Sequence, residues 1–129
     1  SQKFTPFIIN SLREGVSVIP LTPGEQTRDF IFVEDVSSAY VNTADRISSL
    51  KLYEEFEIGW GNEIKLMKFV EEIKKQIQNN SRLDWGAIPY MENEIMRHCA
   101  DISNNSKINW KPRIGLTEGI RKTIVAHIS

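Results

Sequence analysis

Gly24-Glu25-Gln26-Thr27-Arg28-Asp29-Phe30-Ile31-Phe32-Val33-Glu34-Asp35-Val36 is the stretch that decides how this chain reads. A polar loop, one arginine, an apolar run and a helix start follow one another without interruption. Phe30-Ile31-Phe32-Val33 predicts a strand that is apolar on both faces, as in a sheet covered on both sides. Asp35 is placed to cap a helix in which Val36, Ala39, Tyr40, Thr43, Ala44 and Ile47 recur at helical spacing. Arg28 stands where loop becomes strand. A planar, always-charged guanidinium on a rigid backbone suits a phosphate, because it makes two parallel hydrogen bonds and loses little freedom in doing so. The competing reading is an ordinary surface arginine paired with Asp29 or Glu25, worth little energetically. Local chemistry alone favours that second reading.

Outward from this stretch, helices and short strands alternate. Thr5-Pro6 reads as an N-cap with proline at the first helical position, Phe7, Ile8 and Leu12 as its apolar side, and Gly15 as its stop. Val16 to Leu21 reads as a strand that lies at an edge or ends early, since Pro20 cannot donate to a ladder. Phe56 to Ile58 is a second short strand candidate, turned by Gly59-Trp60-Gly61-Asn62. Leu66, Phe69, Val70, Ile73 and Ile77 share one helical face, with Glu71 and Lys75 paired on the other side. Leu83 to Ile88 predicts another strand. Asp101 can cap a brief helix over 102–108, and Thr117 a last one with Ile120, Ile124 and Ile128 on its apolar face. The alternation indicates an α/β fold, α+β in the chain taken alone, with short strands and four to five helices.

The 129 residues suffice for one domain with a real core. Sixteen basic and 17 acidic residues leave a net charge of −1, which argues against a nucleic-acid or anionic-membrane surface as the main business. Cys99 has no second cysteine to pair with, so a reducing cytoplasm is the expected compartment. No apolar run approaches membrane-spanning length. The first residue is not Met, and the chain reads as a segment of a longer protein.

Enzymatic machinery is mostly missing. Gly59-x-Gly61 lacks the third glycine of a dinucleotide fingerprint and is followed by the charged Glu63, so a structural turn is favoured. His98, Cys99 and Asp101 have no recognised metal spacing. Glu92 and Glu94 read as a solvated edge rather than an acid–base pair. Trp60, Trp85 and Trp110 are scattered, not interleaved with basic residues, and read as core or partial core.

The string around Arg28 resembles the R-D-F-I-Y-V-x-D-V signature of NAD(P)-dependent nucleotide-sugar epimerases, dehydratases and reductases, the extended short-chain dehydrogenase/reductase enzymes. Further stretches agree in order and spacing. Phe4-Thr5-Pro6-Phe7 resembles the start of that family's substrate-domain helix, and Phe56-Glu57-Ile58-Gly59-Trp60-Gly61 its F-x-I-G-x-G turn. Ala100-Asp101-Ile102-Ser103, Asn109-Trp110-Lys111-Pro112 and Thr117-Glu118-Gly119-Ile120 resemble its ending, A-D-x-S, G-W-x-P and L-x-E-G-I. Leu21 to Gln26 and Glu92 to Met96 resemble a CDP-abequose synthase-like branch acting on CDP-linked deoxysugars for bacterial surface polysaccharide.

The resemblance implies that residues 1–129 form the C-terminal, substrate-binding portion of such an enzyme, without its NAD-binding Rossmann half. The glycine-rich turn and the Y-x-x-x-K pair of that half are not in this sequence: Tyr40, Tyr53 and Tyr90 are followed four residues later by Ala44, Glu57 and Glu94. No catalytic, cofactor-binding or metal-binding residue is therefore assigned to it, and NAD or NADP belongs to the parent enzyme. The implied ligand is a nucleotide-diphospho-sugar. Arg28 matches the arginine that grips the diphosphate, Gln26 lies beside it, and Lys3, Phe4, Ile19 and Leu21 match the base- and ribose-holding segments. Met91 stands where many members place a second phosphate-binding arginine, and Arg97 is the residue that could compensate. The alternative is a stand-alone ligand-binding or interaction module without catalysis. If the chain is a fragment, the apolar residues of 30–33 and of the helix over 36–47 leave an exposed patch or self-associate across it.

Overall fold

The computed structural model describes residues 4–51 and 53–128. In chain order the elements are α1 (Phe4–Glu14), β1 (Val18–Leu21), β2 (Thr27–Arg28), α2 (Val33–Asp45), β3 (Ile64–Lys65), α3 (Leu66–Ile77), β4 (Arg82–Trp85) and α4 (Leu116–Ile128), with single 3₁₀ turns at Ile47–Ser49 and Asn105–Ile108. They form two compact units: Ser1–Gln26, Lys65–Met96 and Leu116–Ser129 make the first, Thr27–Ile64 and Arg97–Gly115 the second. No helix among the described residues is long and apolar enough to cross a membrane.

In the first unit, β1 and β4 pair in parallel, with Val18 opposite Arg82 and Leu21 opposite Trp85. Parallel strands require a crossover, and α3 lies on that connection. It packs against α1 on one side and α4 on the other. Ile8, Ile9 and Leu12 of α1, Phe69, Val70 and Ile73 of α3, and Ile120 and Ile124 of α4 are buried with Ile19 and Leu21 of β1. Each such side chain contributes about 1.5–3 kcal/mol by leaving water. α1 ends as expected at Gly15 (φ +68°). Gly15 N donates to Leu12 O and Val16 N to Ser11 O, satisfying carbonyls the helix leaves open. Its start differs from the expectation: Thr5 lies inside the helix, and Pro6 is tolerated there because first-turn N–H groups have no intrahelical partner. The α3 start is closed from outside, Leu66 N donating to Gln26 O (2.8 Å) and Met67 N to Gly24 O (3.1 Å).

The second unit is built around Ala39, Ile108 and Trp110, with Ile31, Leu50, Phe56 and Ile58 packed against them. Trp110 Nε1 donates to Ser38 Oγ at 2.8 Å, so the indole is buried without an orphaned donor. The strand expected over Phe30–Val33 is not formed. The strand stops at Arg28, and Phe32, still extended, offers the first carbonyl of α2 to Asp35 N and Val36 N. Phe56–Ile58 is likewise irregular. Short apolar runs look alike whether they pack as strands or as loop, and here Ile31, Phe56 and Ile58 pack against the core without joining a ladder.

Asn109 sits in the left-handed conformation (φ 49°) at the end of the second 3₁₀ turn, where the G-W-x-P string carries glycine. Asparagine tolerates this region better than other side-chain-bearing residues, and Asn42 Nδ2 donates to its carbonyl at 3.0 Å. Asn109→Ala is expected to cost about 1 kcal/mol and Asn109→Gly to be neutral or slightly stabilising, read from chemical denaturation midpoints.

The apolar face of α2 is only partly used. Ala39 is buried, but Val33, Tyr40, Val41 and Ile47 are 77, 74, 59 and 69% exposed. Val33 and Tyr40 are seven residues apart and so share a face of α2, and Ile47 lies in the 3₁₀ turn that follows it. Of the residues expected to leave an apolar patch, Val33, Tyr40 and Val41 of α2 and Ile47 of the following turn are exposed, whereas Ile31 packs against the core.

Candidate functional site

Arg28 ends the two-residue β2, in the second unit. Thr27 beside it pairs in parallel with Arg97, and His98 N donates to Thr27 O at 3.2 Å. Side chains alternate along an extended chain, so Thr27 and Arg97 share one face and Arg28 takes the opposite one. Arg28 is half-buried, and its Nη1 donates to Thr27 O at 2.7 Å. Thr27 O thus receives two donors, one from Arg28 and one from the segment carrying Arg97.

Arg97 is engaged by Glu63. Its Nε reaches Glu63 Oε1 at 2.7 Å and its Nη2 the same oxygen at 2.5 Å. The Arg97 side chain is 81% exposed whereas that of Glu63 is only 16% exposed. The Arg97 hydrogen bond holds the Glu63 carboxyl below the usual carboxylate range, against an opposing effect of burial and with help from the Thr27 hydroxyl.

On the other side of Arg28, Asp29 organises the loop that carries the two glycines. Its Oδ1 accepts from Trp60 N (2.9 Å), and its Oδ2 from Gly61 N (2.9 Å) and Ala100 N (3.2 Å). A Cβ at Gly59 would lie 2.6 Å from Ala100 Cβ and 2.7 Å from Asp29 Oδ2, and Gly61 has φ +81°. The amides that would cradle a phosphate are occupied by a carboxylate, so Gly59-x-Gly61 is a structural turn. Nothing in the sequence marked Asp29 for this task, because its partners lie 31, 32 and 71 residues away.

Asp35 also departs from expectation. It does not cap α2: Phe32 is the N-cap, and Asp35 lies within the first turn. Its buried carboxylate accepts from Arg113 N (3.0 Å to each oxygen) and Ile114 N (2.9 Å). It ties α2 to the segment after Trp110.

The remaining candidates belong to the first unit. Gln26 is buried, its Nε2 donating to Thr22 Oγ1 at 3.3 Å. Ile19 and Leu21 are core residues, and Phe4 is half-buried at the start of α1. Met91 is exposed on a turn closed by Glu94 N donating to its carbonyl. Near the Gln26 loop, Glu25 N donates to Tyr90 Oη at 2.9 Å, and Glu25 pairs with Lys65 at 2.7 Å, which raises the Lys65 pKa. Lys3 lies outside the described residues. The structure therefore brings Arg28 and Arg97 onto neighbouring backbone in one unit, while Phe4, Ile19, Leu21, Gln26 and Met91 belong to the other, where no hydrogen bond among the described residues joins them.

Residues 1–59 match the model of the NAD dependent epimerase/dehydratase family. The chain is 34% identical over 124 residues to CDP-abequose synthase of Salmonella typhimurium, covering 95% of this chain and 42% of that protein. Among solved structures, the UDP-N-acetylglucosamine 4-epimerase of Methanobrevibacter ruminantium, in complex with UDP-N-acetylmuramic acid, superposes with a TM-score of 0.73 and 26% identity over 95% of this chain and 39% of that one. The UDP-glucose-4-epimerase of Stenotrophomonas maltophila with bound NAD and formylated UDP-arabinopyranose gives 0.81 at 20% identity, over 96% of this chain and 39% of that one. The last likeness speaks to fold alone: a mixed α/β arrangement shared with part of that structure. The chain thus spans about two-fifths of the length of these relatives. By motif order, by the family match over residues 1–59 and by fold, the chain is similar to members of the NAD-dependent epimerase/dehydratase family.

Proposed function

We propose that this chain is the C-terminal, substrate-holding portion of an NAD- or NADP-dependent enzyme that epimerises, dehydrates or reduces the sugar of a nucleotide-diphospho-sugar. The observation that carries the reading is Arg28: a half-buried guanidinium hydrogen-bonded to its own strand, within the motif order shared with the nucleotide-sugar enzymes. In this reading Arg28 binds the diphosphate, with Gln26 beside it and Arg97 supporting the same strand. Phe4, Ile19, Leu21 and Lys3 provide the backbone and apolar walls for base and ribose, and Met91 supplies contact without charge. The likeness to CDP-abequose synthase favours a CDP-linked deoxysugar, for surface polysaccharide made in the cytoplasm.

The chain's own residues do not fit a nicotinamide cofactor. Its Trp60 and Gly61 amides are taken by Asp29, and no tyrosine is followed by lysine four residues later. Hydride transfer and the catalytic tyrosine–lysine pair are assigned to a preceding Rossmann half. The exposed apolar residues Val33, Tyr40 and Val41 of α2, with Ile47 of the turn after it, suit a surface such a half would cover.

Calorimetric titration of the chain with CDP, UDP, cytidine and NAD tests this. A nucleoside diphosphate is expected to bind more tightly than cytidine, and Arg28→Ala to weaken only the diphosphates, by about 1.5–3 kcal/mol. Equal affinity of wild type and variant for CDP and UDP would remove Arg28 from the site. Tight NAD binding would contradict the division of labour.

A further inference from the structure

A two-residue strand is too short to fix an arginine on its own, since strands of ordinary length hold their register through several ladder bonds. The restraint on Arg28 comes from outside β2. Its Nη1 donates to Thr27 O at 2.7 Å, and the same carbonyl accepts His98 N at 3.2 Å. A carbonyl oxygen has two lone pairs and takes both donors. The direction in which Thr27 O points is therefore set jointly by the Arg97–His98 backbone and by Arg28. That backbone is in turn anchored where Arg97 pairs with Thr27 and where its guanidinium meets Glu63.

We infer that Glu63 and Arg97 form a positioning pair that holds the Thr27 carbonyl, and through it the Arg28 guanidinium, in its anion-binding orientation. The inference rests on the reading that Arg28 binds the diphosphate. Two features separate the pair from an ordinary surface ion pair, which contributes little. Two nitrogens of Arg97 converge on one oxygen of Glu63, whose side chain is only 16% exposed. Strand alternation also places Arg97 on the Thr27 face, opposite Arg28, so the pair acts through backbone and not by touching the ligand. Glu63 compensates the Arg97 charge on that face. Sequence spacing could not show this, because Glu63 and Arg97 are 34 residues apart.

The test is a double-mutant cycle on the full chain, titrated with CDP and with inorganic pyrophosphate, with thermal melts confirming that each variant folds. Glu63→Gln is expected to weaken CDP and pyrophosphate about tenfold and leave cytidine unchanged, the order seen when a group supporting a binding residue is removed. Arg97→Gln should give the same loss, and the Arg28→Ala/Glu63→Gln double variant should bind no more weakly than Arg28→Ala alone. Glu63→Asp, which keeps the charge, should recover part of the affinity. If Arg97 itself were the ligand group, Glu63→Gln would free it and tighten binding. Unchanged or tighter binding in Glu63→Gln, or additive losses in the double variant, overturns the positioning role while leaving Arg28 in place. A silent Arg28→Ala overturns the diphosphate reading and this inference with it. If Glu63→Gln does not fold, Arg97→Gln in the same cycle with Arg28→Ala decides by the same criteria.

Discussion

Asp35→Ala is expected to destabilise the chain by about 2–5 kcal/mol, enough to remove a large share of the 5–15 kcal/mol a domain of this size holds. Its carboxylate is 3% exposed and accepts from the amides of Arg113 and Ile114. Alanine would leave both donors without a partner where water reaches poorly, and each such orphan costs about 1–3 kcal/mol. The first turn of α2 would also lose a negative charge where the helix dipole favours one. Asp35→Asn retains one acceptor oxygen and should fall between the two. Urea denaturation gives the energy, and amide exchange locates it: protection should be lost first at Arg113, Ile114 and the Ala39–Ile108–Trp110 core. A change within about 0.5 kcal/mol, the range of an ordinary surface substitution, would show that these amides find other partners.

Asp35 also shows what the sequence could and could not convey. Helical periodicity over 36–47 located α2, the Thr-Pro to Gly15 punctuation located α1, and the face of Leu66, Phe69, Val70 and Ile73 located α3, because those signals are local. An aspartate at a helix start looks like a cap, since most are. That this one turns to a segment 78 and 79 residues away is a tertiary fact without a local signature. The misread Phe30–Val33 strand has the same origin: four apolar residues in a row look like a covered strand, yet only Ile31 packs against the core and Val33 is exposed. At the proposed site, motif order singled out Arg28. Thr27, Glu63 and Asp29 carried no such signal, since their partners are distant in sequence. The glycine pair could be discounted as a phosphate cradle for lack of a third glycine, yet the physical reason is the Asp29 carboxylate already seated on its amides.

Asp29→Ala is accordingly expected to cost about 2–4 kcal/mol of stability and to weaken nucleoside diphosphate binding as well. One carboxylate accepts three backbone N–H groups, from Trp60, Gly61 and Ala100, and so joins the residue after Arg28 to two separate stretches of chain. Charged acceptors make the stronger class of hydrogen bond, and no side chain of another type supplies two anionic oxygens at this reach except glutamate, which is one methylene longer. The Cβ test at Gly59 shows how little room there is: an added carbon would meet Asp29 and Ala100 at 2.7 and 2.6 Å. Glutamate should therefore fail to substitute. Asp29→Asn keeps an oxygen for some of the donors but turns an NH₂ toward the rest, and is expected to recover less than half of the loss. Amide exchange separates this variant from the Asp35 series, because protection should fall at Trp60, Gly61 and Ala100 while Arg113 and Ile114 hold. Stability unchanged in Asp29→Ala would mean that the turn at Gly59–Gly61 stands without it. A stability loss with CDP affinity intact would show that the turn and the Arg28 strand are held independently.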